Sequence, residues 1–235
     1  MIYLHDGITT ICTAAFMACR SLTQIVIPKQ VKNINCDTFD GCTSLCNVTI
    51  PDGAESIEHN AFRGCRSLSQ ITLPNSLKTI YGFEGCSSLR EIDIPAGVEN
   101  ISGFMFCDSL RKVTLHRGVK RIDGYAFRYC GSLSEINFPE GLEEIGDRAF
   151  MPSYDGTNGL TKIVFPSTLR KIGVEAFYYN CKLRSVEFHS NIKEIGEAAF
   201  ARCSSLEVID KPNEMKINDN VFIQDKGLDK WGFWD

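Results

Sequence analysis

Cysteine is the residue type whose number and spacing in this chain first suggest chemistry. The chain has eleven cysteines, and seven of them lie three residues after a phenylalanine. These seven are Cys19, Cys42, Cys65, Cys86, Cys107, Cys130 and Cys203. Zinc sites use closely spaced cysteine pairs, and the chain contains no C-x-x-C. Because free cysteine packs as a small buried hydrophobe, we expect one inward row of thiols, with no metal site.

Of the remaining four cysteines, we expect one to belong to this inward row with a small offset, and three lie off it. Cys181 follows its phenylalanine one residue later than the others, and Cys12, Cys36 and Cys46 lie elsewhere. Of the last three we expect Cys46 to be the most exposed. Cysteines stacked about 5 Å apart fall within disulfide range. Side chains that point the same way argue against pairing, and an odd total leaves at least one thiol free.

Histidines and glycines give no catalytic or cofactor pattern. Three of the four histidines, His5, His116 and His189, replace a proline that ends a repeated segment, so their spacing follows that repeat. A nucleophile, base and acid must converge in space, and these histidines lie several units apart. Neither phosphate-binding glycine motif, G-x-x-x-x-G-K-[ST] or G-x-G-x-x-G, occurs. We therefore predict no catalytic residue, no metal and no cofactor, and an enzyme is the weakest hypothesis.

The elements that position these residues are short repeated units, each marked by a phenylalanine. Successive markers are mostly 21 to 23 residues apart, and a leucine follows six residues after nine of the ten. The markers are Phe16, Phe39, Phe62, Phe83, Phe104, Phe127, Phe150, Phe177, Phe200 and Phe222. A fixed period of this length predicts a repeat solenoid, in which stacked units bury a continuous core.

Each unit contains one segment with the alternation of a strand. From the leucine the chain reads L-x-x-[IV]-x-[ILF]-P, which is typical of a half-buried strand that proline ends. A [VL]-x-x-I segment and a polar stretch then lead to the next phenylalanine. No window of a dozen residues keeps a helical period. We predict a mainly β repeat solenoid of about ten units with one parallel sheet and little regular helix, forming a single domain over residues 1–235.

Segments such as A-F-x-x-C-x-S-L-x-x-I at 61–71 and 126–136 resemble the BspA-like (Treponema pallidum-type) class of leucine-rich repeats. The resemblance covers essentially the whole chain. It implies a right-handed solenoid of units of about 23 residues, with the parallel sheet on the concave side. It also implies an extracellular or cell-surface location. The many cysteines favour reducing conditions and keep a cytoplasmic location open, and no signal peptide is visible.

Two positions of each predicted strand point outward and form rows across the sheet. The rows are uncharged at first and mix charges of both signs further along. Solenoids use such rows as extended binding surfaces, although they are also ordinary soluble surface. The candidate binding residues are Gln24, Asn47, Thr49, Gln70, Thr72, Arg90, Glu91, Asp93, Arg111, Lys112, Thr114, Glu135, Asn137, Lys162 and Glu187. The leading hypothesis is a non-enzymatic module that binds a protein or glycan across this sheet; the alternative is a structural stalk that presents another domain.

An insertion at 151–159 is the second candidate site, with Tyr154, Asp155 and Asn158 as its polar residues. Long loops on rigid scaffolds often carry function, yet insertions are also thermodynamically cheap. The first unit, residues 1–10, is incomplete, and residues 228–235 form an aromatic end. We therefore expect either a piece of a longer protein or a solenoid capped only at its C-terminal end.

Composition limits the classes of partner. The chain is 43% hydrophobic and 23% charged, with a formal net charge of −4. Nucleic acids and anionic membranes attract a clustered positive field, so neither is expected as the main partner. No run of 18 apolar residues occurs, so we predict no transmembrane segment. The sequence leaves the ligand and the oligomeric state open.

Overall fold

The chain coils into a parallel β-solenoid with almost no helix, as predicted. The computed structural model describes residues 2–153 and 159–223. Nine strands continue the L-x-x-[IV] segments: β1 (Ile2–Tyr3), β2 (Gln24–Val26), β4 (Asn47–Thr49), β7 (Glu91–Asp93), β9 (Lys112–Thr114), β11 (Glu135–Ile136), β13 (Lys162–Val164), β15 (Ser185–Glu187) and β17 (Val208–Asp210). Eight continue the [VL]-x-x-I segments: β3 (Asn33–Ile34), β5 (Ser56–Ile57), β6 (Thr79–Ile80), β8 (Asn100–Ile101), β10 (Arg121–Ile122), β12 (Glu144–Ile145), β14 (Lys171–Ile172) and β16 (Glu194–Ile195). One 3-10 helix, Asp219–Phe222, completes the described elements.

The first set of strands forms the predicted sheet, but in three parts. The parts are β1-β2-β4, β7-β9-β11 and β13-β15-β17, all with parallel pairing. The first break falls at 70–72, which forms no strand, at the start of a shortened 21-residue unit. The second break follows the insertion at 151–159, which separates β11 from β13. The sheet is therefore segmented where the length of the unit changes.

The second set of strands forms a continuous eight-stranded sheet, in the order β3-β5-β6-β8-β10-β12-β14-β16. Ile11 adds an isolated bridge to Ile34 at its start. Sequence reasoning did not predict this sheet, because strands of two residues are too short to show alternation. Its eight strands correspond to eight turns of the solenoid, slightly fewer than the ten units predicted.

Stacked phenylalanine rings form the centre of the core. All ten marker phenylalanines stack in one column, with ring centroids of successive residues 5.0–5.8 Å apart and interplanar angles of 5–24°. Each stacked pair contributes about 0.5–1.5 kcal/mol beyond the area it buries. The leucine and isoleucine positions of the two strand segments pack around this column. Because no unit can bury its ring alone, the column couples each unit to the next.

The predicted features at the ends and in the insertion have different outcomes. β1 of the incomplete first unit pairs with β2, so residues 1–10 contribute a strand. Residues 154–158 of the insertion and the aromatic end at 228–235 lie outside the described residues.

Candidate functional site

The outward side of the first set of strands is the candidate binding surface, which we call the concave face. Its strands alternate as predicted: in β7, Glu91 and Asp93 are exposed while Ile92 between them is buried. Strands β9 and β13 follow a similar pattern around Val113 and Ile163. The apolar middle residue fixes each strand to the core, and its polar neighbours must then point away from the core.

Seven of the predicted residues line one depression on this face. Its volume is about 710 Å³, and it extends across four units from β2 to β7. The predicted residues in it are Gln24, Asn47, Thr49, Gln70, Thr72, Glu91 and Asp93. The break in the sheet at 70–72 lies at its centre. Asn75 and His116 also line it and were not among the predicted residues.

His116 reaches the depression through a hydrogen bond to Asp93. Its Nε2 lies 2.8 Å from Asp93 Oδ1, and both side chains are exposed. In the sequence, His116 occupies the position after a strand where other units have proline. This was the one indication that its side chain lies at the margin of the sheet. Its pairing with a carboxylate from the neighbouring unit could not be derived from that position alone.

Five more predicted residues line a shallower depression of about 320 Å³ on the same face. They are Lys112, Thr114, Glu135, Asn137 and Lys162. Asn137 has a structural role: its Nδ2 donates to Leu115 O at 2.7 Å, and its Oδ1 accepts from Leu115 N at 2.9 Å. This amide replaces a strand hydrogen bond where β11 ends. Asn137 is therefore less available to a ligand than its neighbours.

The remaining predicted residues are not brought into either depression. Arg90, Arg111 and Glu187 line neither of them. Arg90 and Arg111 are exposed and precede β7 and β9. The predicted loop residues Tyr154, Asp155 and Asn158 lie outside the described residues.

Charges on the concave face alternate in register. Lys112 lies opposite Glu91 on one side and Glu135 on the other. Opposite charges across neighbouring strands stabilise a sheet, by about 0.2–1 kcal/mol per pair. Among the described residues, however, none of these three side chains comes within ion-pair distance of another. Their charged ends remain accessible to solvent.

On the second sheet, by contrast, several charged side chains form ion pairs between successive units. Lys32 pairs with Glu55 at 2.6 Å, Arg121 with Glu144 at 2.9 Å, and Lys171 with Glu194 at 3.3 Å. Each of these pairs joins successive units. On the concave face of the described chain, the one comparable contact is the hydrogen bond between His116 and Asp93. The two faces thus differ in whether their charged groups already have partners.

The thiols of the cysteine row are part of the core hydrogen bonding. Six of them donate to the carbonyl of the marker phenylalanine one unit earlier, at 3.0–3.4 Å between Sγ and O. These are Cys42, Cys65, Cys86, Cys107, Cys130 and Cys203. Burial raises the pKa of Cys42 to about 11 and those of Cys86 and Cys203 to about 12. A nucleophile or metal ligand must be the thiolate, so these thiols are unsuited to either role at neutral pH.

Two sequence expectations about cysteines were wrong. Asn180, and not Cys181, occupies the inward position of its unit: it is 3% exposed, and its Nδ2 donates to Phe150 O and Phe177 O, both at 2.9 Å. Of the cysteines outside the row, Cys12 is the exposed one, whereas Cys46 is half-buried and donates to Thr23 O at 3.3 Å. All eleven cysteines are free thiols.

The described part of the chain shows neither a metal-binding cluster nor a membrane-spanning helix. Over residues 2–153 and 159–223, no three histidine, cysteine or acidic side chains form a group suited to a metal ion. In the same ranges, no helix has the length and apolar character needed to span a bilayer.

Comparison with known proteins identifies the scaffold. The chain superimposes on a leucine-rich repeat protein from Bacteroides ovatus with a TM-score of 0.72 and 25% identity, over 90% of this chain and 68% of that one. The leucine-rich repeat protein of T. pallidum gives a TM-score of 0.58 and 27% identity, over 88% of this chain and 77% of that one. A leucine-rich cell surface protein from Faecalibacterium prausnitzii gives 0.50 and 23%, over 92% and 66%.

Searching curated protein sequences finds no match to this chain. The pattern of the BspA type leucine-rich repeat region matches residues 9–109, 81–156 and 125–234, in six copies. These matches cover nearly the whole chain and agree with the phenylalanine column and the parallel strands. The chain belongs to the family of BspA-type leucine-rich repeat proteins.

Proposed function

We propose that this chain is a non-enzymatic binding module that holds a protein or a glycan across its concave face. One observation carries the proposal: most polar and charged side chains on the second sheet are paired between units, with Thr79 as an exception, whereas those on the concave face are largely without partners. In the described chain, Gln24, Asn47, Gln70, Glu91 and Lys112 make no side-chain hydrogen bond or ion pair. Polar side chains without a protein partner on a rigid scaffold are available to bind a ligand.

The chemistry of the core supports a binding role over catalysis. Six of the regularly recurring thiols are buried, and burial raises the pKa of Cys86 to about 12. The side chain of His116, which lines the larger depression, hydrogen-bonds among the described residues only to Asp93. Binding by complementary polar rows needs no catalytic group.

We propose further that the chain acts at a cell surface. Family membership supports this location, and the Faecalibacterium prausnitzii relative is described as a leucine-rich cell surface protein. Protease treatment of intact cells tests it: a surface protein is cleaved without lysis, whereas protection until the cells are lysed would contradict the proposal.

A charge reversal within the concave face tests the binding proposal. The triple variant Glu91→Lys, Lys112→Glu, Glu135→Lys inverts the local field but keeps opposite charges in register, so the sheet should remain folded. The control Lys32→Glu, Glu55→Lys inverts an exposed pair beside the second sheet.

Both variants and the unmodified chain would be applied to arrays of purified proteins and glycans. We expect ligands of the unmodified chain to lose binding to the triple variant and to keep binding to the control. Equal binding by all three chains, with matching circular dichroism spectra, would refute the concave face as the site.

A further inference from the structure

The larger depression differs chemically from the rest of the concave face. Its side-chain polar groups are amides, hydroxyls, two carboxylates and one histidine. Among the described residues that line it, none is lysine or arginine, and none is phenylalanine, tyrosine or tryptophan. Lysines appear only in the neighbouring smaller depression. The two depressions therefore favour different ligands.

Amide groups form a regular row through this depression. Gln24 and Asn47 lie directly opposite each other in the pairing of β2 with β4, and Gln70 occupies the same position in the next unit. Units repeat at the spacing of parallel strands, about 4.8 Å. Thr49 and Thr72 form a second row of hydroxyl groups two residues further along their strands. Three successive units thus present an amide, and two of them also present a hydroxyl two residues further along.

The break in the sheet adds backbone groups to this surface. Residues 70–73 form no strand, and in the described chain none of their N–H groups donates to a backbone carbonyl. Elsewhere on this face, β2 with β4 and β7 with β9 are paired over three residues each. Polar backbone groups without a protein partner at an exposed site accept or donate to a ligand or to water. The centre of the depression therefore has more hydrogen-bonding capacity than its side chains alone provide.

Charge at this site disfavours an anionic ligand. Glu91 and Asp93 are both exposed, and the chain as a whole carries a net charge of −4. His116 is held against Asp93, where it offsets that carboxylate when protonated. An acidic chain placed here would meet two carboxylates and no lysine or arginine among the residues that line the depression. The site accordingly suits a neutral ligand rich in hydroxyl groups.

We propose that this depression binds a neutral, extended glycan that runs across the strands with about one sugar per unit of the solenoid. The inference rests on the proposed function, since it assigns a ligand class to the same face. An equatorially 1,4-linked pyranose chain advances by close to one strand spacing per sugar. An extended peptide advances about 3.3 Å per residue and falls out of step with rows about 4.8 Å apart. The spacing of the amide row therefore favours the glycan over the peptide.

The same geometry sets the affinity and its dependence on length. Without an aromatic platform, binding relies on hydrogen bonds, which contribute modestly in water. We expect dissociation constants on the order of 10⁻⁴ to 10⁻³ M for a tetrasaccharide. Because Gln24, Asn47, Gln70 and Glu91 mark four successive units, affinity should rise up to about four sugars and change little for longer chains.

Titration calorimetry with defined β-1,4-linked oligosaccharides tests the proposal. The neutral probes are cellotetraose, mannotetraose and chitotetraose; tetramannuronate is the anionic counterpart of mannotetraose. We expect at least one neutral tetramer to bind at least about fivefold more tightly than its dimer, and tetramannuronate to bind no more than weakly. Gln70→Ala should weaken binding about fivefold, whereas Gln30→Ala, at an exposed glutamine outside the depression, should not.

Three results would overturn the inference. They are no binding by any neutral tetramer, equal or tighter binding of tetramannuronate, and equal losses for Gln70→Ala and Gln30→Ala. If neutral tetramers fail while an arrayed protein binds and is lost in the triple charge variant, the glycan inference falls and the proposed function stands. If neither a glycan nor a protein depends on the concave face, both fall.

Discussion

Replacement of Asn180 tests how the interior of the solenoid is held together. The side chain is 3% exposed and donates to the carbonyls of Phe150 and Phe177 at 2.9 Å. It stands where six other units have a thiol that donates to one such carbonyl. Asn180→Ala removes both donors and leaves the Phe150 carbonyl buried without this partner. Asn180→Cys would restore the group that the other units use.

The magnitude follows from the cost of an unsatisfied buried acceptor. A lost hydrogen bond costs about 1 kcal/mol and an orphaned buried carbonyl about 1–3 kcal/mol, so we expect Asn180→Ala to lower the free energy of unfolding by about 2–4 kcal/mol. For a chain of this size that corresponds to a decrease in Tm of about 5–15 °C. Asn180→Cys should cost about 1 kcal/mol or less, because one donor remains.

Urea unfolding followed by far-UV circular dichroism measures these differences. The midpoints of the two variants should be clearly separated, with similar slopes of free energy against urea. Two results would refute the reasoning: a midpoint for Asn180→Ala equal to that of the unmodified chain, or one for Asn180→Cys as low as that of Asn180→Ala. The second would mean that the thiol and the amide are not equivalent donors here.

Four further predictions concern thiol reactivity, the pH dependence of stability, a turn and the end of β11. Titration with a thiol reagent at pH 8 should modify Cys12 first and leave the six buried thiols unmodified until denaturant exposes all eleven cysteines. Rapid modification of all eleven cysteines in the native state would contradict the burial of these six thiols. Burial raises the pKa of Cys42 to about 11 and that of Cys86 to about 12, so above pH 9 these thiols release protons in the unfolded chain and keep them in the folded one. Stability should therefore be fully present below about pH 9 and fall as pH rises toward 11, and a flat urea midpoint over that range would contradict this. Ala18 has a φ of 57°, a left-handed conformation that favours glycine, so Ala18→Gly should stabilise the fold by about 0.5–1 kcal/mol. Ala15 lacks that conformation, so Ala15→Gly should destabilise the fold by about the same amount in the same urea assay. Asn137→Ala should lower the free energy of unfolding by about 1–2 kcal/mol, because it removes two hydrogen bonds to Leu115. An unchanged urea midpoint would mean that Asn137 has no structural role and is as available to a ligand as its neighbours.

The fold could be predicted because one pattern repeats many times. Any single segment such as 57–74 is ambiguous, but ten phenylalanines at a nearly fixed spacing leave a stacked column as the simple way to bury them. The second sheet was not predicted, because strands such as Ser56–Ile57 contain only two residues and are too short to show an alternating pattern. The inward position of Asn180 was not predicted, because residue type favoured Cys181 for the row of thiols. The position three residues after Phe177, which the row occupies in the other units, correctly identifies Asn180.

The candidate site was predictable in its rows and not in its shape. Alternation along β7 places Glu91 and Asp93 outward without any need for coordinates. The break at 70–72 and the depression around it depend on how units of different length stack, which one sequence does not specify. The partner of His116 and the structural use of Asn137 likewise depend on contacts between units, 22 or 23 residues apart in the chain.

The most direct test of the central claim is to locate the bound ligand on the protein. Backbone amide NMR spectra of the labelled chain would be recorded while a ligand from the array experiment is added. We predict that shift changes concentrate on β2, β4, residues 70–73, β7 and β9, with the second sheet unaffected. Changes that concentrate on the second sheet, from β3 to β16, would contradict the assignment of the concave face as the binding surface.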